Sequence, residues 1–198
     1  APFWAKRLQS DGIPAKFVRM GILPGYCDSG SSYENRQIKF GFCGTVHEHR
    51  ALAFNKLKQI NIDIEIHPPN LRYKDYLSYL QKVKIFFHDE SEIPWNINNE
   101  LISRSTSCWI KSVEVASRGT FCIRNFHDEG HAYNLSKIPL IKCYENLYEI
   151  PNIINEIESI STKSRRDLQI ESVEQIRKQY DWYETAHTLV TGDYSLKC

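Results

Sequence analysis

The sequence predicts an α/β fold: a Rossmann-like parallel sheet of about five strands, with helices on both faces and further helices at the C-terminus. Three observations predict it. From residue 36 onward, five short apolar or alternating segments are each followed by a stretch with helical spacing. No internal repeat or low-complexity tract interrupts that rhythm. The chain has 198 residues, 41% of them hydrophobic, which is globular composition and enough length to bury a core.

The elements follow in order. Arg36–Cys43 (RQIKFGFC) reads as a strand that ends in Gly44-Thr45, and residues 47–60 place Ala53, Leu57 and Ile60 on one helical face. Ile60, Ile62, Ile64 and Ile66 alternate without exception, a strand signal closed by His67-Pro68-Pro69-Asn70. Tyr73, Tyr76, Leu77 and Leu80 make the next helical face, and residues 84–88 (KIFFH) a short strand. Trp109, Val113 and Ala116 mark a helix that stops at Gly119. Residues 120–123 and 139–143 are two more short strands, with one helical turn expected within 128–136. Leu147, Ile150, Ile154 and Ile157 form a helix, and residues 165–190 finish in one or two polar amphipathic helices.

The first 35 residues break the pattern. Residues 3–9 look like the end of a helix, Gly12-Ile13-Pro14 is a turn, and Ala15–Met20 is a strand. Residues 21–35 hold three Gly, three Ser and a Pro, which is linker composition. Residues 1–35 therefore read as the tail of a preceding domain plus a linker, and 36–198 as the domain proper.

Composition excludes several classes. Lys and Arg number 25 against 24 Asp and Glu, so bulk charge supports neither a nucleic-acid-coating protein nor a polybasic membrane protein. No apolar run approaches the ~18 residues of a spanning helix. Six Cys form no CxxC and no zinc-finger spacing. Cys43, Cys122 and Cys143 lie in or beside apolar runs, which suits buried thiols in a reduced, cytoplasmic compartment.

In an open parallel sheet, ligands bind beyond the C-terminal strand ends, where the strand order reverses. With the first strand central, the crevice lies between the Gly44 loop and the stretch after His88. That stretch, with Trp95, Asn96, Asn98, Asn99 and Arg104, is long enough to suggest function. The helix that follows opens Ser107-Cys108-Trp109-Ile110-Lys111-Ser112, and its first N–H groups suit an anion. Gly44-Thr45 leaves room for a phosphate, with Arg50 in the next helix; a glycine that merely turns strand into helix is the alternative. Neither GxGxxG nor GxxxxGK[ST] is present.

The segments KFGFCGTVHEHR, DIEIHPP, YKDYLSYLQKVKIFFH, IKSVEVASRGTFCIRN and QYDWYETAHTLV together resemble the C-terminal, donor-binding half of GT-B glycosyltransferases, of the group-1-like and spore-protein-like families. The resemblance covers about residues 36–190. It implies that Glu114 holds the ribose hydroxyls of a nucleotide sugar, because one fixed carboxylate accepts two vicinal O–H groups. It implies that Gly44, Thr45 and Arg50 contact the diphosphate, with the Ser112 and Val113 amides completing the cradle. The base would lie against His67–Tyr73, with Pro68, Arg72 or Tyr73 as its wall. The partners implied are a nucleotide sugar as substrate, an acceptor, and an N-terminal acceptor domain of the same protein; no cofactor and no metal are implied.

The chain departs from the family at Thr106, where retaining members often carry Glu. Arg50, Arg104 and Lys111 all compete for the family's cationic pair, so neither retention nor inversion is assigned. His127, Asp128, Glu129 and His131 have the donor types of a metal site, and a polar surface loop has the same composition. In the family this loop often faces the donor sugar, so the Glu129, Gly130 and His131 amides are candidates for its hydroxyls. His47, Glu48 and His49 read as an exposed first helical turn, and Tyr180, Asp181 and Trp182 as packing. The rival readings are a non-catalytic α/β nucleotide-binding or interaction module and an NAD(P)-binding domain, the latter weakened by the missing glycine motif.

Overall fold

The computed structural model describes residues 2–16, 18, 20–89, 95–97, 100–102, 109–125 and 135–192. Its centre is a parallel sheet of five strands: β1 (Ile38–Cys43), β2 (Glu65–His67), β3 (Val83–His88), β6 (Phe121–Asn125) and β7 (Ile141–Tyr144). They lie in the order β2-β1-β3-β6-β7. The registers are parallel throughout: Phe42 faces Ile66, Phe40 faces Ile85, Phe87 faces Ile123, and Arg124 faces Cys143. β1 lies between β2 and β3, with β3 in the middle of the sheet, and the chain leaves β1 first to one side and then to the other, so the switch point falls between β1 and β3 as expected.

Among the described residues the α-helices are α1 (Pro2–Ser10), α2 (Glu48–Gln59), α3 (Tyr73–Leu80), α4 (Trp109–Ser117), α5 (Ile150–Ser159), α6 (Thr162–Gln179) and α7 (Trp182–Thr191). Strand pleating sorts them onto two faces. Phe42 and Phe87 meet Phe54 of α2, at ring-centroid distances of 5.1 and 6.0 Å. Gly41, on the opposite face, leaves space for Tyr79 of α3; a Cβ there would stand 2.7 Å from the Tyr79 hydroxyl. That hydroxyl donates to the Phe42 carbonyl at 3.2 Å. Val83, Ile85, Phe86, Phe87, Phe121, Cys122 and Ile123 are wholly buried, the continuous apolar runs of a sheet covered on both sides.

Several expectations shift. The alternating isoleucines form only a three-residue edge strand, because Ile60, Asn61 and Ile62 are used to end α2. The amides of Asn61 and Ile62 donate to the carbonyls of Lys58 and Leu57, with Asn61 at φ 59. Residues 95–97 and 100–102, expected as part of a loop, form a small antiparallel pair, β4 (Trp95–Ile97) and β5 (Glu100–Ile102), in which Trp95 faces Ile102. Of the strand expected over 15–20, residues 15, 16, 18 and 20 belong to no strand; 17 and 19 lie outside the described residues. Cys43 and Cys122 are buried free thiols, as is Cys27, whereas Cys143 on edge strand β7 is exposed. The Asp181 carboxylate caps α7, accepting from the Tyr183 amide at 2.8 Å, and Tyr180 is buried, so that cluster packs and caps.

Residues 21–36 lie against the domain. Ile22, Cys27 and Tyr33 are in the core. Ile22 bridges to Asp181, and the Trp182 amide donates to the Ile22 carbonyl at 3.1 Å. The guanidinium of Arg36, buried at 3% exposure, donates to the carbonyls of Ser29, Ser31, Leu80, Val83 and Arg118 and to the Thr120 hydroxyl. Among the described residues no helix is long and apolar enough to cross a membrane.

Candidate functional site

The C-terminal ends of β1 and β3 deliver two loops to the switch point, and α3 and α4 flank them. Gly44 follows β1, and its amide donates to the His67 carbonyl at 3.4 Å, which ties the first and second strand ends together. A Cβ on Gly44 would sit 3.1 Å from the Phe42 ring and 3.5 Å from Lys111 Nζ, so the loop passes close over both. His47 stands at the N-cap of α2 with no side-chain cap bond, which leaves first-turn amides uncapped by a side chain. His47 and Glu48 are exposed and His49 half-buried, the two imidazoles stacked at 6.0 Å.

Two cations converge on the loop. Arg50, on the first turns of α2, donates to the Thr45 carbonyl at 2.7 Å and, from Nε and Nη2, to the Asp89 carbonyl at 3.3 and 3.2 Å. It therefore bridges the loop after β1 and the residue after β3, with its guanidinium 5.3 Å from the centre of the Phe42 ring. Among the described residues these partners are neutral carbonyls and a ring, and no carboxylate is paired with Arg50. Lys111, on α4, donates from Nζ to the Cys43 carbonyl at 2.6 Å. Its ammonium lies 5.5 to 5.8 Å from the centres of the Phe42, Tyr76 and Phe86 rings, a cation held in an aromatic setting.

Glu114 follows Lys111 by one helical turn and is half-buried. Oε1 accepts from the Tyr73 hydroxyl at 3.2 Å. Burial raises its pKa above the ordinary carboxyl value, and the Tyr73 hydrogen bond and the Lys111 charge pull part of the way back. Burial, then the Glu114 charge, pushes the Tyr73 phenol up as well. Behind this pair the Tyr76 hydroxyl is buried without a hydrogen-bond partner, and its ring centre lies 6.5 Å from that of Tyr73. Burial raises the Tyr76 phenol far above its ordinary range.

The structure thus gathers Gly44, Thr45, Arg50, Tyr73, Lys111 and Glu114 around one strand end. Ser112 and Val113 are placed differently. Both are fully buried, and Ser112 Oγ is engaged by His88 Nδ1 at 2.7 Å and by Arg124 at 3.4 Å beneath the site. Arg72 and Pro68 are exposed beside the end of β2, where the Cys43 thiol meets the Pro68 carbonyl at 3.6 Å. Asn98, Asn99, Arg104, Thr106 and Cys108 lie outside the described residues, and nothing is described of the Trp95 and Asn96 side chains. His127, Asp128, Glu129, Gly130 and His131 also lie outside the described residues. Among the described residues no group of three or more His, Cys, Asp or Glu is placed to hold a metal ion.

Sequence reasoning missed three contributors: the aromatic surround of Lys111, the buried Tyr76 hydroxyl, and Tyr26, whose ring centre lies 5.5 Å from that of Tyr73. The spacing of Tyr73 and Tyr76, one turn apart on α3, was the available signal for the second. A cavity of about 410 Å³, lined in part by Lys39, Phe40, Asn61 and Glu158, lies elsewhere, toward the N-terminal strand ends between α5 and the turn after α2. No family model matches the chain, and no curated protein is significantly similar to it.

Proposed function

We propose that this chain is the donor-binding domain of a glycosyltransferase, holding a nucleotide sugar at the β1–β3 switch point for transfer to an acceptor on a second domain. The observation that carries the reading is Glu114: a half-buried carboxylate one helical turn from Lys111, whose hydrogen-bond partner is a single phenolic O–H. Oε1 already accepts a hydroxyl, and a carboxylate offers room for a second acceptor bond, so a vicinal diol such as ribose suits it.

The remaining groups fit a diphosphate. When the bond from the anomeric carbon to the diphosphate breaks, negative charge grows on the leaving phosphate oxygen. Arg50, Lys111 and the uncapped first turn of α2 are pre-placed to take up that charge, which is how fixed dipoles and cations lower such barriers. Arg50 also holds the two loops together through Thr45 and Asp89, so its loss would loosen the cleft as well as remove charge. Buried Cys43 and Cys122 suit the reduced, cytoplasmic setting in which nucleotide sugars are used.

The test is calorimetry and saturation-transfer NMR with UDP, GDP, ADP and their sugars. Binding is expected, and Glu114→Ala is expected to weaken it by about 1–3 kcal/mol, the cost of unmet polar groups. Absence of binding to every nucleotide and nucleotide sugar overturns the proposal. A second reading, a non-catalytic nucleotide-binding or interaction module, is favoured by the strand order, which receiver-type and flavodoxin-like modules share. It predicts nucleotide binding with no sugar turnover even when an acceptor-binding domain is supplied.

A further inference from the structure

Tyr26 closes the short 3₁₀ turn Pro24–Tyr26, in the stretch whose composition reads as a linker. Its ring meets the Tyr73 ring edge to face, with centroids 5.5 Å apart and planes at 77°. Both rings are open to solvent, Tyr26 at 39% and Tyr73 at 45% exposure. Both are nevertheless held from behind. The Tyr26 carbonyl accepts from Arg118 Nη1 at 2.6 Å, and the next residue, Cys27, is buried with its carbonyl bonded to Arg177 Nη2 at 2.8 Å. Tyr73 is anchored at its hydroxyl by Glu114.

Two large aromatic faces fixed in place yet left wet, beside a half-buried carboxylate, are what a ligand with a flat ring and hydroxyls would cover. Behind them the Tyr76 hydroxyl is buried with no hydrogen-bond partner among the described residues. Tyr26, Tyr73 and Tyr76 form a row that leads to Lys111, whose ammonium is 5.6 Å from the Tyr76 ring centre. A nucleoside diphosphate has the matching order of groups: ring, diol, anion.

We propose that Tyr26 and Tyr73 form the nucleobase subsite of this domain, and that the Tyr73 hydroxyl is a placeholder on Glu114 which the ribose diol displaces. This rests on the nucleotide-sugar reading above. Stacking on a tyrosine face accepts any base, because every base has a π-face, so the pair supplies affinity rather than choice of base. Residues 21–36 are then part of the binding machinery, since they carry Tyr26 to the site. The displacement sets a defined cost on binding: the Tyr73–Glu114 hydrogen bond is given up for bonds to the diol.

The test compares UDP, GDP and ADP with pyrophosphate as the base-free control, by calorimetry, on the full chain and on Tyr26→Ala, Tyr26→Phe, Tyr73→Phe and Glu114→Ala. Tyr26→Ala is expected to weaken the nucleoside diphosphates about tenfold and to leave pyrophosphate unchanged, which also shows that the variant is folded. Tyr26→Phe keeps the ring and keeps the affinity. Tyr73→Phe keeps the wall, removes the placeholder and tightens nucleoside diphosphates about threefold. Nuclear Overhauser contacts from the Tyr26 ring to base protons are expected in the wild type. If Tyr26→Ala leaves nucleotide affinity intact while Glu114→Ala lowers it, the subsite is wrong and the nucleotide reading stands. An unchanged Tyr73→Phe overturns the placeholder. A wild type that binds no nucleoside diphosphate overturns the nucleotide reading and the subsite with it.

Discussion

Glu114 shows how one residue on an apolar helix carries both a function and a cost. Its neighbours Val113 and Val115 are fully buried, so the helix presses the carboxyl toward low dielectric, and burial outweighs the help from Tyr73 and Lys111. The sign follows directly. A carboxyl whose folded pKa is raised above 4.5 binds its proton more tightly in the folded chain. Stability from this group is therefore full below that value and is lost as pH rises through the raised pKa. Glu114→Gln removes the ionisation and keeps an acceptor for the Tyr73 hydroxyl. Its melting temperature is expected to exceed that of the wild type at pH 7, with the difference closing at pH 4 and below. A variant less stable than wild type at pH 7 would show that the carboxylate is structural rather than strained.

At the scale of elements, three helices end in the same way, and this decides how much strand the second βα unit retains. In α1, α2 and α4 the closing residue is left-handed and its amide and the next one bond back to the last turn: Gly12, Asn61 and Gly119 at φ 77, 59 and 66. Asn61 alone has a side chain there. The motif draws Ile60 and Ile62 into the cap of α2, so the alternation that reads as a seven-residue strand becomes a coil and a three-residue edge strand. Asn tolerates the left-handed region better than Ala. Asn61→Ala is expected to destabilise by about 1 kcal/mol, while Asn61→Gly leaves stability within a few tenths of the wild type. Urea unfolding of the two variants checks this, and equal losses in both would shift the cause to the Asn61 side chain.

At the scale of the molecule, residues 21–36 and the sheet are joined through one buried cation. Arg36 reads as the first residue of a strand, yet its guanidinium lies beneath the turns that precede β3 and β6 and binds the crossing backbone at Ser29 and Ser31. Burial, reinforced by repulsion from Arg166 and Arg118, pulls its pKa down to about 10, so it is still charged at neutral pH. Gly119 completes the crossing, because a Cβ there would stand 2.5 Å from the Ser29 carbonyl oxygen. Arg36→Met leaves several buried carbonyls short of a donor and is expected to cost about 3 kcal/mol or more. The urea midpoint should fall without a change in slope, since the segment unfolds with the sheet as one unit. A fall confined to local hydrogen exchange in residues 21–36 would mean instead that the segment is an independent lid on a stable domain.

Periodicity by itself determined the alternation of strands and helices and set Gly44, Arg50 and Lys111 beside strand ends and helix starts, whereas Glu114 was singled out by the family resemblance and not by spacing. Those features are local: a residue's face on a helix or strand follows from its spacing, and hydrophobic spacing survives any tertiary arrangement. What tertiary structure decided was everything that depends on a partner distant in the chain. Tyr26 meets Tyr73 across 46 intervening positions, Arg36 finds Thr120, and Lys111 finds the Cys43 carbonyl. A Gly- and Ser-rich stretch has the same composition whether it floats as a linker or is held by buried guanidinium groups. The difference lies in which carbonyls those groups reach, and hydrogen-bond geometry of that kind is set only once the sheet has brought the segments together.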